Sequence, residues 1–160
     1  MEGGDRCMRA MAIRRKQRQV ASRKRPARAI SLDEMWTYQG ARRGPSKNTQ
    51  WVWTAVVEWQ DGSRSVDFEV GDRGEATLVK LCEHLPLADT YHTDGYEPYT
   101  WLPRDRHRVG KGGKVNRNEG VHSMLRDRLH RLRRRTKGYT KSVSMLTASI
   151  AMICIHSGWS

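Results

Sequence analysis

The stretch WVWTAVVEWQDGSRSVDFEV, residues 51–70, decides the fold. Its two halves, Trp51 to Gln60 and Ser63 to Val70, are rich in the β-branched and aromatic residues that suit a pleated, half-buried surface. Between them stands Asp61-Gly62, a dipeptide that closes tight hairpins because glycine enters the left-handed region without strain. Two antiparallel strands are therefore expected here. Towards the N-terminus, Ala29 to Gln39 reads as a further strand, separated from Trp51 by a loop over Gly40 to Gln50 that contains Gly44-Pro45. Towards the C-terminus, Ala76, Leu78, Val79, Leu81, Cys82 and Leu85 recur at helical spacing, so Arg73 to Leu85 is read as a helix crossing the sheet. A short strand over Asp89 to Thr93 ends at Asp94-Gly95, and Arg106 to Val109 reads as another before the Gly/Lys-rich loop Gly110 to Lys114. Two helices follow: Asn118 to Arg135, burying Val121, Leu125, Leu129 and Leu132, and Ser142 to His156, with Gly138 as the break between them. The pattern predicts an α/β domain, a mixed sheet with helices on its faces. No internal repeat is present.

Charge divides the chain into three. Met1 to Ile30 carries ten basic and two acidic residues, net +8. Leu32 to Pro103 carries six basic and twelve acidic, net −6, and Arg104 to Lys141 carries fourteen basic and three acidic, net +11. The total is +13 over 160 residues. Such an excess favours a polyanionic partner, and nucleic acid is the expected one; an anionic membrane surface and a merely soluble basic protein are the other readings. An acidic middle between basic flanks suits a segment that coordinates cations while its neighbours hold phosphates, and equally suits a solvated acidic surface.

The longest apolar stretch, Ala148 to Ile155, is too short to span a bilayer, so no membrane association is expected. The first thirty residues lack the apolar core and cleavage site of a secretory signal, which points to a cytosolic, nucleoid-associated location. Residues 1–28 have the composition of a flexible basic arm, leaving residues 29–160 as one domain. Cys7, Cys82 and Cys154 form no CxxC pair and read as buried or incidental thiols. Trp51, Trp53 and Trp59 read as sheet core.

Cleavage or transfer of a phosphodiester uses two or three carboxylates, drawn from distant parts of a chain, to hold Mg²⁺-like ions. Three candidates stand out. Asp33 interrupts the strand-like run from Ile30 to Tyr38, where aspartate is poorly suited, and strand alternation allows only one of Asp33 and Glu34 to join a given site. Asp94 ends a strand, although Asp-Gly is also a common turn pair. Glu119 opens a basic helix, where the helix dipole alone favours an acid. His122, Ser123, Arg126 and His130 share the helical face of Glu119, opposite the apolar stripe, which fits a metal ligand continuing into a phosphate track and also fits an ordinary amphipathic helix. His122 and His130 are secondary candidates for phosphate contact or proton transfer.

In this order, Leu32-Asp33-Glu34-Met35-Trp36-Thr37-Tyr38, Thr93-Asp94-Gly95-Tyr96-Glu97-Pro98-Tyr99 and Asn116-Arg117-Asn118-Glu119 resemble the three acidic blocks of the DDE transposases of the insertion-sequence-one family. The basic continuation through Leu125 to Leu132, Arg133-Arg134-Arg135-Thr136-Lys137 and Tyr139 to Ser142 is similar to the tail that follows the catalytic glutamate there. The resemblance covers roughly Ala29 to Ser160. It implies a ribonuclease H-like catalytic domain in which Asp33, Asp94 and Glu119 hold two Mg²⁺ or Mn²⁺ ions, water frees a 3′-hydroxyl, and that hydroxyl attacks target DNA. Arg126, Arg133, Arg134, Arg135, Lys137 and Lys141 are the expected phosphate contacts. A synaptic homodimer is implied by the same resemblance.

The chain departs from the family in two ways. Neither a zinc ribbon nor a helix-turn-helix for reading element ends precedes Asp33, so a fused or separate end-recognition domain is expected. Gly120 and Val121 stand after Glu119 where relatives often carry basic or polar residues. Two other classes compete with the transposase: a nonenzymatic nucleic-acid-binding module or inactive remnant, and a nuclease that cuts without joining.

Overall fold

The computed structural model describes residues 26–38, 49–110, 116–129 and 142–158. Five strands form one sheet: β1 (Ala27–Tyr38), β2 (Thr49–Trp59), β3 (Arg64–Gly71), β4 (Ala88–Thr93) and β5 (His107–Val109). Three helices accompany them: α1 (Glu75–His84), α2 (Asn116–Arg128) and α3 (Val143–His156). The order across the sheet is β3-β2-β1-β4-β5. β2 pairs antiparallel with both β1 and β3, while β4 pairs parallel with β1 and β5 with β4, so β2 alone runs against the rest. This mixed α/β sheet is consistent with a ribonuclease H-like fold, as expected from the sequence.

The Asp61-Gly62 turn forms as its chemistry dictates. Gly62 has φ +81°, its N–H donates to the Trp59 carbonyl at 3.0 Å, and the Asp61 carboxylate accepts from the Ser63 N–H at 2.9 Å. The hairpin it closes alternates cleanly. Trp53, Ala55 and Val57 face α1, packing with Ile30 and Leu32 of β1 and with Leu78, Leu81 and Cys82. Val52 and Val56 face the other way, packing with Met35, with Val121 and Leu125 of α2, and with Leu146 and Ile150 of α3. The sheet thus has a core on each face. Trp53 is wholly buried, and its indole N–H donates to the Asp72 carbonyl at 2.8 Å; truncation to alanine would cost about 3–5 kcal/mol. Trp51 and Trp59 are partly buried against the same core, as expected.

Element limits moved slightly. α1 starts at Glu75 rather than Arg73, because the Asp72 carboxylate accepts from the Gly74 N–H (3.0 Å) and the Thr77 hydroxyl (2.7 Å) and so closes a turn before the helix. Those bonds, that of Thr77 first, hold the Asp72 carboxyl below its ordinary range. Glu97–Trp101 forms a 3₁₀ helix that the sequence reading missed; Pro98 is well placed there because its fixed φ suits a helix start. Ser142 caps α3, its hydroxyl accepting from the Met145 N–H at 3.2 Å. Cys82 and Cys154 are buried thiols outside any disulfide, and burial pushes both upward in pKa, Cys154 to about 11. The basic arm before Pro26, the Gly40 to Asn48 part of the expected loop, Cys7, His130 and the expected helix beyond Leu129 lie outside the described residues. Among the described residues, no helix is long and apolar enough to cross a membrane.

Candidate active site

Strand alternation separates Asp33 from Glu34. Glu34 points to the α1 side, where its side chain is 2% exposed and fully engaged. Arg73 donates to Glu34 Oε1 from Nε (3.1 Å) and Nη2 (2.8 Å), and the Tyr99 hydroxyl donates to Oε2 at 2.9 Å. The Arg73 guanidinium also lies between two rings, 4.5 Å from the Trp51 centroid and 4.2 Å from that of Tyr96. Glu34 is thus a structural anchor, and Asp33 is the residue of the pair turned towards α2.

The parallel pairing of β1 with β4 determines where Asp94 lies. Ser31 pairs with His92, and two residues further along each strand stand Asp33 and Asp94. Paired positions on neighbouring strands point to the same face, and continued past that last pair the register aligns Asp33 with Asp94, which follows directly on the end of β4. Asp94 is exposed and its Oδ1 accepts from the Tyr96 N–H at 2.9 Å, while Gly95 takes φ +91° to make the turn. Glu119 is exposed in the first turn of α2, which packs on β1 and β2.

The Asp33 carboxyl senses both of the others. Burial raises its pKa to about 6; the Glu34 N–H, donating to Oδ1 at 2.9 Å, opposes this, and the negative charges of Glu34, Asp94 and Glu119 reinforce it. Asp94 and Glu119 therefore both lie within electrostatic reach of Asp33. Even so, among the described residues no three His, Cys, Asp or Glu side chains stand close enough to hold a metal ion as they are arranged. Electrostatic proximity is the longer-ranged relation, and two of the three side chains are exposed, so the two observations are compatible. The donor set itself fits the hard cations: three carboxylates offer the oxygen ligands that Mg²⁺ and Mn²⁺ take.

His122 is not where helical spacing placed it. It lies buried at 4% exposure on the sheet-facing side of α2, together with Asn118, Val121 and Leu125. The sequence reading grouped it with Glu119 on an outer face because it counted only the apolar stripe; in the structure, polar residues share the inner face. Thr54 of β2 supplies their partner. Its Oγ1 lies 2.8 Å from His122 Nε2, 3.1 Å from Asn118 Oδ1 and 3.2 Å from the Asp33 carbonyl oxygen. His122 Nδ1 in turn lies 3.7 Å from Asp33 Oδ2. Burial, aided by the charge of Arg126, lowers the His122 pKa to about 4, so the ring is neutral at physiological pH. One residue before Asn118, Arg117 pairs with the buried Glu58 of β2, which also binds Arg28.

The sequence carried a signal for this network that went unread. Thr54 and Glu58 are polar positions on an inward face otherwise made by Val52 and Val56, and Asn118 and His122 are spaced to meet them on one helical face. Of the expected phosphate contacts, Arg126 is half-buried on α2, whereas Arg133, Arg134, Arg135, Lys137 and Lys141 lie outside the described residues.

No curated protein and no solved structure gives a significant match. The family model described as IS1 transposase matches residues 28–156, from the second residue of β1 to the end of α3 and across all three acidic blocks. The chain belongs to the IS1 transposase family.

Proposed function

We propose that Asp33, Asp94 and Glu119 form one metal-binding site through which the chain cleaves DNA and transfers the cut strand. The observation that carries this reading is the Asp33 carboxyl, buried on a central strand and raised to about 6 with the charges of Asp94 and Glu119 acting on it. Three residues from three distant segments bring negative charge to one place, a costly arrangement unless a cation joins them. Two Mg²⁺ or Mn²⁺ ions, when bound, supply the charge stabilisation that in-line displacement at phosphorus needs. Asp33 would offer its oxygen from the strand, Asp94 from just past the adjacent strand end and Glu119 from the helix. Hydrolysis at an element end leaves a 3′-hydroxyl, and attack of that hydroxyl on target DNA exchanges one phosphodiester for another without an external energy source.

DNA is the partner. Arg126, with Arg133, Arg134, Arg135, Lys137 and Lys141, supplies the positive charge that binds its phosphates. The basic arm of residues 1–28 adds affinity without sequence choice to the catalytic domain of residues 29–160, and a fused or separate domain selects the element ends. Two copies acting together would pair those ends, and the whole complex works on nucleoid DNA.

A second reading has an observation in its favour. The absence, among the described residues, of three side chains already at ligand distance is what a nonenzymatic DNA-binding remnant would show. One experiment separates the readings. Purified chain is incubated with plasmid carrying the element's flanking ends in Mg²⁺ or Mn²⁺, beside Asp94→Asn. Metal-dependent nicks and joined products, absent in the variant, are expected. Nicks without joined products would mark a nuclease, and binding without either, equal in both proteins, would mark the remnant.

A further inference from the structure

We infer that Thr54 and His122 are positioning residues for Asp33: the buried Thr54 hydroxyl ties the strand carrying Asp33 to the helix carrying Glu119 and sets the His122 ring edge-on to the Asp33 carboxylate. The inference rests on the metal-site reading proposed above. Its starting point is a threonine wholly buried in the middle of the sheet, a place where an unpaired hydroxyl is penalised.

Three polar atoms surround that hydroxyl, and it has one proton to give. The Asn118 Oδ1 faces it at 3.1 Å while the Asn118 Nδ2 is buried without a partner. Turning the amide end for end, an orientation fixed only by such networks, places Nδ2 as a donor on Thr54 Oγ1 and satisfies both groups. The Thr54 proton then goes to its nearest acceptor, His122 Nε2 at 2.8 Å. That leaves the ring proton on Nδ1, the nitrogen 3.7 Å from Asp33 Oδ2. At that separation the contact is electrostatic rather than a full hydrogen bond, and a small turn of the carboxylate closes it. The Asp33 carbonyl, 3.2 Å from Thr54 Oγ1, shares that same proton as the weaker arm of a three-centre bond.

The consequence reaches Glu119 as well. Arg117, bound to Glu58, and Asn118 and His122, bound to Thr54, form a polar row on the inner side of the first two turns of α2. Apolar contacts allow a helix to slide or roll by small amounts, but directional bonds on both sides of Glu119 set its rotation over the sheet. Val121 and Leu125 supply the burial. Thr54 thereby serves as a joint between two proposed ligands rather than as a ligand itself.

The test is Mn²⁺ binding by the full chain, measured by calorimetry or electron paramagnetic resonance beside a melting temperature for every variant. Asparagine keeps a donor where His122 Nδ1 stands, whereas glutamine places its polar group at Nε2 and gives up the one facing Asp33. Thr54→Val and His122→Gln are expected to weaken Mn²⁺ binding by roughly 10–100-fold, the usual effect of removing a group that orients a ligand. His122→Asn and Thr54→Ser are expected to stay near wild type, and these two milder changes carry the comparison if Thr54→Val does not fold. Lower melting temperatures with unchanged Mn²⁺ affinity in folded Thr54→Val and His122→Gln would overturn the inference and leave only a structural role. So would a folded His122→Asn that loses Mn²⁺ as completely as Asp33→Asn. If Asp33→Asn binds Mn²⁺ as wild type does, the metal-site reading itself fails, and this inference with it.

Discussion

Ser31 of β1 pairs in parallel with His92 of β4, and Asp33 and Asp94 each stand two residues further along the chain. They are like charges, and Asp33 is mostly buried, with its side chain 19% exposed. Its carboxyl titrates near 6 instead of in the ordinary carboxylate range. Above that pH the folded protein must keep a charge that burial and its neighbours oppose; below the unfolded value of 3.8 both states are protonated and the penalty vanishes. Asp33→Asn is therefore expected to raise the melting temperature at pH 8 in the absence of divalent metal. The gain should shrink as pH falls through 6 and disappear below about 4, as a thermal-melt series across that range would read.

His122 titrates in the opposite sense. Its folded pKa of about 4 lies below the ordinary 6.5, so the neutral ring contributes stability that is complete above 6.5 and lost as pH falls through 4. The loss is on the order of 3 kcal/mol. Between pH 6.5 and 4, denaturant titration of His122→Asn should show a shallower decline than wild type, whereas a parallel decline would mean that the ring is not buried neutral.

Glu34 and Arg73 make a separate case. Arg73→Ala removes two hydrogen bonds from a carboxylate whose side chain is 2% exposed and leaves its charge without a cation. Because Arg73 itself is about half exposed, the expected loss is about 2–3 kcal/mol, below that of a fully buried pair. Adding Glu34→Gln should recover part of that loss, since it removes the uncompensated charge. Chemical denaturation of the two single variants and the double variant measures the coupling.

Gly95 links backbone to site. Its φ of +91° disfavours any side chain, and a Cβ there would come within 2.7 Å of Val109 Cγ1. Gly95→Ala is expected to lower stability by about 1–2 kcal/mol. Val109→Ala in the same chain should relieve only the steric part, because the dihedral strain remains. Because Asp94 is the preceding residue, both variants should also cleave DNA less well than wild type.

Much of this fold could be read from residues 51–70 and their surroundings, because alternation and the Asp-Gly turn are local signals. The mixed order of the sheet followed from one hairpin plus one crossover helix. Nothing local revealed the 3₁₀ helix at Glu97–Trp101, which depends on Tyr99 and Leu102 filling a core built by β1, β2 and α1. Asp33 stood out because it breaks a local rule, an acid in a strand interior, whereas Asp94 before Gly95 obeys the ordinary turn rule and was singled out by its place at a strand end. The choice between Asp33 and Glu34 was not, since alternation says that they differ in face without saying which face is which. His122 misled for a related reason: a polar residue at the edge of an apolar stripe is read as outward unless its partner, here Thr54 on a distant strand, is known.

Mn²⁺ titration of the full chain with Asp33→Asn, Asp94→Asn and Glu119→Gln tests the central claim most directly. The account predicts that wild type binds Mn²⁺ and that each single substitution, in a protein that still melts cooperatively and still binds DNA, weakens that binding and abolishes metal-dependent nicking. Mn²⁺ binding that survives all three substitutions unchanged, or a wild type that binds none in the presence of DNA, would contradict it.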